Sequence, residues 1–371
     1  MALGLADEVR RAGEDLIQRE MARLDAGSAA PVAGWSREVW AATAAAGWSD
    51  VLLGEEHGGL GLGLEATAGL FSVIGRHLVP GPYPDLVVTV PLVYRHASAA
   101  VRARLDKARA GGEVIVLADP AAGTGDAAGT VELRDGSLAG TVGLVRHADI
   151  ATAFLVVARD QAGDPALAFV DASDPRVVIR RQDGFDSSSP VADVSFGQLE
   201  IPDEHLLPAA GGVGAGALVE RLRACLRLMI AAELAGLARH LLEGSVRYAG
   251  VREQFGRPIG SFQAVQEILA EMAVQLLGAE ALTAECAVGT EPDPADAVTA
   301  KGLASEVARQ VGESALQVHG GIAFTREFKD NRWFLRILTL QGMYGDQATA
   351  YRSIGRALLT QEATPVTSTR L

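Results

Sequence analysis

The sequence is poor in cysteine. Cys225 and Cys286 are the whole supply, too few and too far apart for a disulfide framework or a Cys-based zinc site. Both sit in helix-like stretches and read as buried small hydrophobes. Basic charge is also short: 33 Lys+Arg against 46 Asp+Glu leave a formal charge of −13. That balance excludes a chain built to grip a nucleic-acid backbone, though it leaves room for a local basic pocket. Nowhere do about 18 apolar residues run together, as a membrane-spanning helix requires. The N-terminal MALGLADEVRRAGEDLIQRE scatters acids where a signal peptide has its apolar stretch. A cytoplasmic protein without a membrane span is expected.

Several chemistries lack their motifs. The seven histidines are dispersed with no HExxH pair, and no GxSxG elbow occurs, so metal and serine hydrolysis are unsupported. Gly58–Gly63 has no Walker lysine. The run Gly212–Ala217 spells a dinucleotide fingerprint, but it follows a proline-containing loop and opens a helix instead of leaving a parallel strand.

What is present falls into three textures. Residues 1–112 are Ala-rich, with apolar side chains at three- and four-residue spacings in Glu38–Gly47 and Leu64–Leu78, which predicts helices. Residues 113–212 carry short β-branched runs: Val114–Leu117, Val131–Leu133, Leu138–Val145, Ala153–Val157, Leu167–Val170 and Val177–Ile179. The pair Asp135-Gly136 between two of them is a hairpin signal. An antiparallel β domain is expected there. From residue 213 to 371 the pattern is helical again. Leu226, Ile230, Leu234, Leu237 and Leu241 share one face, and a second helix after Pro258 carries Phe262, Val265, Ile268, Met272 and Leu276. Asp293-Pro294 is an N-cap followed by proline at the first helical position. A fourth helix runs from about Glu327 to Leu359, broken near Gly342 or Gly345. The predicted fold class is α+β multidomain: helical domain 1–112, β domain 113–212, four-helix bundle 213–371.

Two segments of the last third are more specific. Arg252–Gln263 reads REQFGRPIGSFQ, and Gln317–Phe324 reads QVHGGIAF. Together with Gly47–Gly63, GWSDVLLGEEHGGLGLG, they closely resemble the acyl-CoA dehydrogenase family, whose helix–sheet–helix architecture matches the three textures. The resemblance spans nearly the whole chain. It implies FAD as cofactor, an acyl-CoA thioester as substrate, and a homologous subunit as partner in a dimer or tetramer. In that family these segments reach across an interface to FAD held mainly by the neighbouring subunit. The implied cofactor-binding set is Arg252, Phe255, Phe262, Gln263, Gln317, Val318, His319, Gly320 and Gly321. The chemistry is readable: Arg252 offers a permanently charged fork for phosphate oxygens, Phe255 a flat surface for the ring system, and Gly320-Gly321 a close backbone approach. Arg227 matches a family position lining the acyl-CoA site.

The chain departs from the family where a proton is moved. Family members take the α-proton of the thioester with a carboxylate, commonly the glutamate of a Tyr-Glu-Gly-Thr segment. The matching residues here are Tyr344-Gly345-Asp346-Gln347, so glycine occupies the base position. The alternative base position on the helix that opens the bundle is Leu226. Asp346 needs a backbone shift to reach a substrate and otherwise reads as a loop or cap residue, while Glu233 stands where relatives hold a structural acid. The β domain lacks the family's Trp and Thr around Leu144-Val145-Arg146, and Ala118–Asp126 matches its "TEP.AGSD" segment only loosely.

These losses leave four readings. In the first, the chain is a subunit of an acyl-CoA dehydrogenase-like flavoprotein that lends its half-site to a paralogous partner supplying the carboxylate; unequal-subunit members act on bulky acyl-CoA thioesters, including steroid side chains. The others are a self-sufficient dehydrogenase with Asp346 as displaced base, a flavin oxidase or monooxygenase of the same fold, and a non-catalytic structural subunit. The acyl chain and the electron acceptor are not encoded in any of these motifs.

Overall fold

The computed structural model describes residues 2–26, 34–123, 128–208, 213–325 and 328–362. Gly212, Glu327 and residues 124–126 of the Ala118–Asp126 segment lie outside that set. Five helices come first: α1 (Ala2–Ala26), α2 (Arg37–Ala45), α3 (Gly63–His77), α4 (Val90–Tyr94) and α5 (Ala99–Arg109). Ser36 and Ser98 cap α2 and α5 by accepting from the N–H three residues on. A π-helical turn, Asp85–Thr89, leads into α4.

The sheet follows: β1 (Ile115–Ala118), β2 (Gly129–Arg134), β3 (Ser137–Arg146), β4 (Ala153–Arg159), β5 (Pro165–Asp171), β6 (Val177–Gln182), β7 (Val191–Glu200) and β8 (Leu206–Leu207). The Asp135-Gly136 turn joins β2 to β3 with both residues at positive φ, as the hairpin signal predicts. Two features differ from expectation. The sheet is mixed, because β1 pairs in parallel with β4 while most other pairs are antiparallel. In addition, β7 carries few β-branched residues and gives a weak sequence signal, yet it lies between β6 and β3 and is held by both.

The bundle begins with α6 (Ala215–Val251), followed by the short hairpin β9 (Glu253–Gln254) and β10 (Arg257–Pro258). Then come α7 (Gln263–Cys286), α8 (Pro294–His319), α9 (Asn331–Gly342) and α10 (Gln347–Glu362). The predicted break in the last helix is present, at residues 343–346. The strand preceding α6, β8, pairs antiparallel with β5, so the glycine run before α6 is not a dinucleotide turn.

Helix α6 is the axis of the molecule. The predicted face from Leu226 to Leu241 is buried, and so is most of the rest of the helix. It packs on α3 through two glycines: a Cβ at Gly236 would stand 2.1 Å from Ser72 O, and one at Gly75 2.1 Å from Glu233 O. Helix α7 is the opposite case, burying only Met272, Leu276, Ala279 and Thr283 and leaving Val274 and Leu277 exposed. Cys225 is buried, whereas Cys286 is only half-buried, because α7 lies at the rim of the bundle. Among the described residues no helix is long and apolar enough to cross a membrane, and no cluster of His, Cys, Asp or Glu has the geometry to hold a metal.

Candidate active site

The first of two regions is at the far end of α6. Tyr248, in its last turn, stacks on His319 at the end of α8, with ring centroids 4.4 Å apart. That stack brings the Arg252–Gln263 and Gln317–Gly321 segments to one end of the bundle. Arg252 terminates α6 and is exposed, with no ion pair among the described residues. Phe255 takes a left-handed backbone (φ 53°) at the tip of the β9–β10 hairpin and is 93% exposed. Phe262 sits below it edge-on at 6.1 Å, and the Arg257 guanidinium covers the Phe262 ring. Gln263 opens α7 with its amide exposed and donating to Glu267; Gln317 and Gly321 are exposed too. Gly320 has φ 64°, a conformation costly for other residues. Val318 and His319 turn inward instead, and His319 Nδ1 bonds Ala315 O at 2.8 Å.

The second region lies at the middle of α6, where it meets the sheet and the 343–346 loop. Cations hold that loop by its carbonyl oxygens. Arg227 Nε donates to Tyr344 O at 3.1 Å, and Lys301 Nζ donates to Gln341 O at 2.6 Å and to Gly345 O. Burial lowers the Lys301 pKa to about 8, with Asp346 opposing the shift. Asp346 is exposed, and its Oδ1 accepts from both Thr349 N (2.8 Å) and Thr349 Oγ1 (2.6 Å), which makes it the cap of α10. Those two bonds hold its pKa below the ordinary carboxylate value. Gly345 presents no side chain, and Leu226 is buried. No carboxylate therefore stands at either family base position.

The space beside this loop is a chamber of about 40 Å3, whose wall includes Asp85, Arg146, His147, Leu226 and Tyr344. Arg146 lines this space and donates from Nε to Ser189 Oγ at 2.6 Å. Beside it Arg336 of α9 is 1% exposed. Its Nε bonds Asp186 at 2.7 Å, its Nη1 bonds Glu233 at 2.8 Å, and its Nη2 bonds Ser188. Burial disfavours the charge on Asp186, but Arg336 overrides it and keeps the pKa below the usual value. Glu233 is thus a structural acid, as the sequence indicated. Asp119 is likewise occupied, gripped from two sides by Arg223 of α6 at 2.8 and 2.9 Å.

Sequence reasoning missed Asp85, His147, Lys301 and Arg336. Asp85 gives one local signal, a single acid between Pro84 and the apolar run Leu86–Val88; the other three give none without knowledge of what packs on them.

Residues 214–359 match the family described as acyl-CoA dehydrogenase, C-terminal domain. FadE27 of Mycobacterium tuberculosis, named an acyl-CoA dehydrogenase, is 30% identical over 340 residues, covering 87% of this chain and 88% of that one. The chain belongs to the acyl-CoA dehydrogenase family. FadE34 of the same organism, also named an acyl-CoA dehydrogenase, is 30% identical over 86% of this chain, which spans only 42% of that longer protein. Among solved structures, the ChsE4–ChsE5 complex from M. tuberculosis aligns with TM-score 0.82 at 25% identity, covering 97% of this chain and 98% of that one. This chain carries the Arg252–Gln263 and Gln317–Gly321 segments at the ends of α6 and α8, and has no carboxylate at Gly345 or Leu226.

Proposed function

We propose that this chain is the base-lacking subunit of a two-chain acyl-CoA dehydrogenase. It lends Arg252, Phe255, Phe262, Gln263, Gln317 and the Gly320-Gly321 backbone to FAD lodged on a paralogous partner. The partner would supply the carboxylate that takes the α-proton of the acyl-CoA thioester, and FAD held by these residues would supply the acceptor for the β-hydride. The observation that carries this reading is an asymmetry. At the end of α6 a guanidinium with no ion pair among the described residues and an almost fully exposed aromatic ring are available to a ligand or partner. At the middle of α6 the chamber holds about 40 Å3, against about 300 Å3 or more for a ligand pocket of ordinary size.

The fit to FAD is correspondingly divided. The exposed half suits a flavin dinucleotide, since Arg252 can neutralise phosphate oxygens, Phe255 can lie on a flat ring, and Gly320-Gly321 leave room for its approach. Val318 and His319 act by holding that backbone in place, their side chains being turned inward. The chamber beside Arg146 does not suit the flavin ring, and no step is assigned to one there. Arg227 holds the 343–346 loop through Tyr344 O, and its assignment to the acyl-CoA site rests on the family resemblance. The exposed apolar residues of α7 give the partner its landing surface. The relation to ChsE4–ChsE5, a complex of two named chains, agrees with an unequal partner.

The test is the visible absorption spectrum of the chain purified alone and co-purified with a paralogue. The chain alone is expected to be colourless, and the pair to hold flavin that acyl-CoA bleaches anaerobically. Arg252→Ala should lower flavin retention in the pair at least tenfold without changing the fold. Bound flavin that is bleached in the isolated chain would overturn the proposal.

A further inference from the structure

A larger space opens where the N-terminal helices meet the bundle. Its volume is about 410 Å3, within the range of an ordinary ligand pocket. Four parts of the chain wall it: the loop ahead of α3, the end of α4, α6 at Arg221, and the connection between α7 and α8. Leu64 N donates to Gly289 O at 3.0 Å and pins that connection to the start of α3. Arg221 stands five residues before Leu226, so it leaves α6 about 140° around the axis from the chamber. Its Nη2 bonds the exposed Glu291 at 2.7 Å, and its Nε is buried with no partner. Burial works against the Arg221 charge, Glu291 supports it and Arg95 repels it, and the balance leaves its pKa below the ordinary value. Arg95 is exposed, donates from Nε to His96 Nε2 at 2.9 Å, and enters no ion pair among the described residues. Burial, then Arg95 and Arg221, depress His96 in turn. Two further acids of the wall, Glu55 and Glu56, are exposed on the loop ahead of α3, and Glu56 lies 3.8 Å from His57. Glu291 is the only carboxylate that acts on Arg221.

One end of the pocket therefore gathers two guanidiniums that repel each other and share one exposed acid. We infer that the pocket binds a monocarboxylate with a short apolar body, its head on the Arg95–Arg221 pair and its body along Leu52, Leu53 and Pro91. Two oxygens on one carbon match the planar fork of arginine. A single charge is favoured because Glu55, Glu56 and Glu291 share the wall, and a phosphate monoester brings nearly two charges at neutral pH. The volume leaves room for much more than the head, and the leucine and proline side of the wall suits carbon. Bound there, the ligand joins the N-terminal helices to α6 and to the α7–α8 connection.

This inference rests on neither flavin nor a partner subunit, and its test contains neither. Thermal unfolding and titration calorimetry of the full chain are followed with hexanoate, hexan-1-ol, hexyl phosphate or chloride at matched ionic strength. Hexanoate should raise Tm in a saturable way while hexan-1-ol and chloride do not, and hexyl phosphate should bind at least tenfold more weakly. Equal Tm in hexanoate and chloride would mean water alone fills the pocket and would overturn the inference. A response to hexan-1-ol equal to that of hexanoate, or hexyl phosphate bound as tightly, would overturn the assignment of the head group. Arg221→Met should weaken the hexanoate Kd at least tenfold, and an unchanged Kd would place the ligand elsewhere. Should that variant not fold, Arg95→Met, at an exposed side chain, replaces it with the same expectation and the same overturning result.

Discussion

Asp346 stands one position past the glycine at the family's base position, and from sequence it is the natural candidate for a displaced base. Its carboxylate is exposed and doubly bonded to Thr349 at the start of α10, where it serves the helix dipole and an orphan N–H. Asp346→Ala should therefore lower unfolding stability by about 0.5–2 kcal/mol and leave turnover of the assembled complex within about twofold. A turnover loss much larger than the stability change, measured by steady-state kinetics beside a denaturant titration, would restore Asp346 to catalysis. Asp85 presents the reverse case. Its one local signal, an acid between Pro84 and the apolar run Leu86–Val88, does not specify any chemistry, yet burial raises its pKa to about 7 from 3.8. Local sequence sets which groups titrate; only the surroundings brought together by folding set where.

At the scale of elements, α7 is legible as a helix from its apolar spacing, but that spacing does not reveal which face stays bare. The structure buries Met272 and Leu276 against the bundle and leaves Val274, 69% exposed, and Leu277, 57% exposed, facing outward. Apolar side chains on one face of a long helix mark an interaction surface. Leu277→Glu should weaken association with the partner at least tenfold, read by light scattering or sedimentation, while the far-UV circular dichroism of the chain is unchanged. Retained association at the same concentration would place the interface elsewhere. Strand β7 makes the complementary point. Gly197, Gln198 and Asp193 dilute its β signal, and it exists because β6 and β3 supply hydrogen bonds on both sides. A strand recruited by its neighbours cannot be read from its own propensity.

The whole molecule is joined at the centre by buried charge. Arg336 on α9 meets Asp186 and Ser188 before β7, and Glu233 on α6, while Arg146 from β3 reaches Ser189 in the same loop. Asp85 and His147 make the stability of this junction depend on pH in opposite senses. The Asp85 carboxyl, with its folded pKa raised, stabilises fully below pH 4, and this contribution is lost as pH rises toward 7. The His147 imidazole, with its pKa depressed, destabilises as pH falls below about 6.5, because only the unfolded chain takes up its proton. Comparing variants separates the two. In chloride buffer Asp85→Asn should be indistinguishable from the parent near pH 4 and more stable by roughly 1–4 kcal/mol above pH 7, at about 1.4 kcal/mol per pKa unit. A stability difference that does not change with pH, measured by urea titration, would show that Asp85 is not held protonated in the folded state.

The sequence by itself determined the three textures, the hairpin at Asp135-Gly136, the capped start of α8, and the segments Arg252–Gln263 and Gln317–Gly321. It also determined the absence of a carboxylate at Gly345 and Leu226. Each depends on spacings of a few residues, and such spacings act through local backbone geometry. Tertiary structure alone decided that Arg146 lines the chamber, that Asp85 holds its proton near neutrality, and that His147 has no partner among the described residues. Those outcomes depend on which groups meet across tens to hundreds of residues of chain, and on how much water is excluded where they meet.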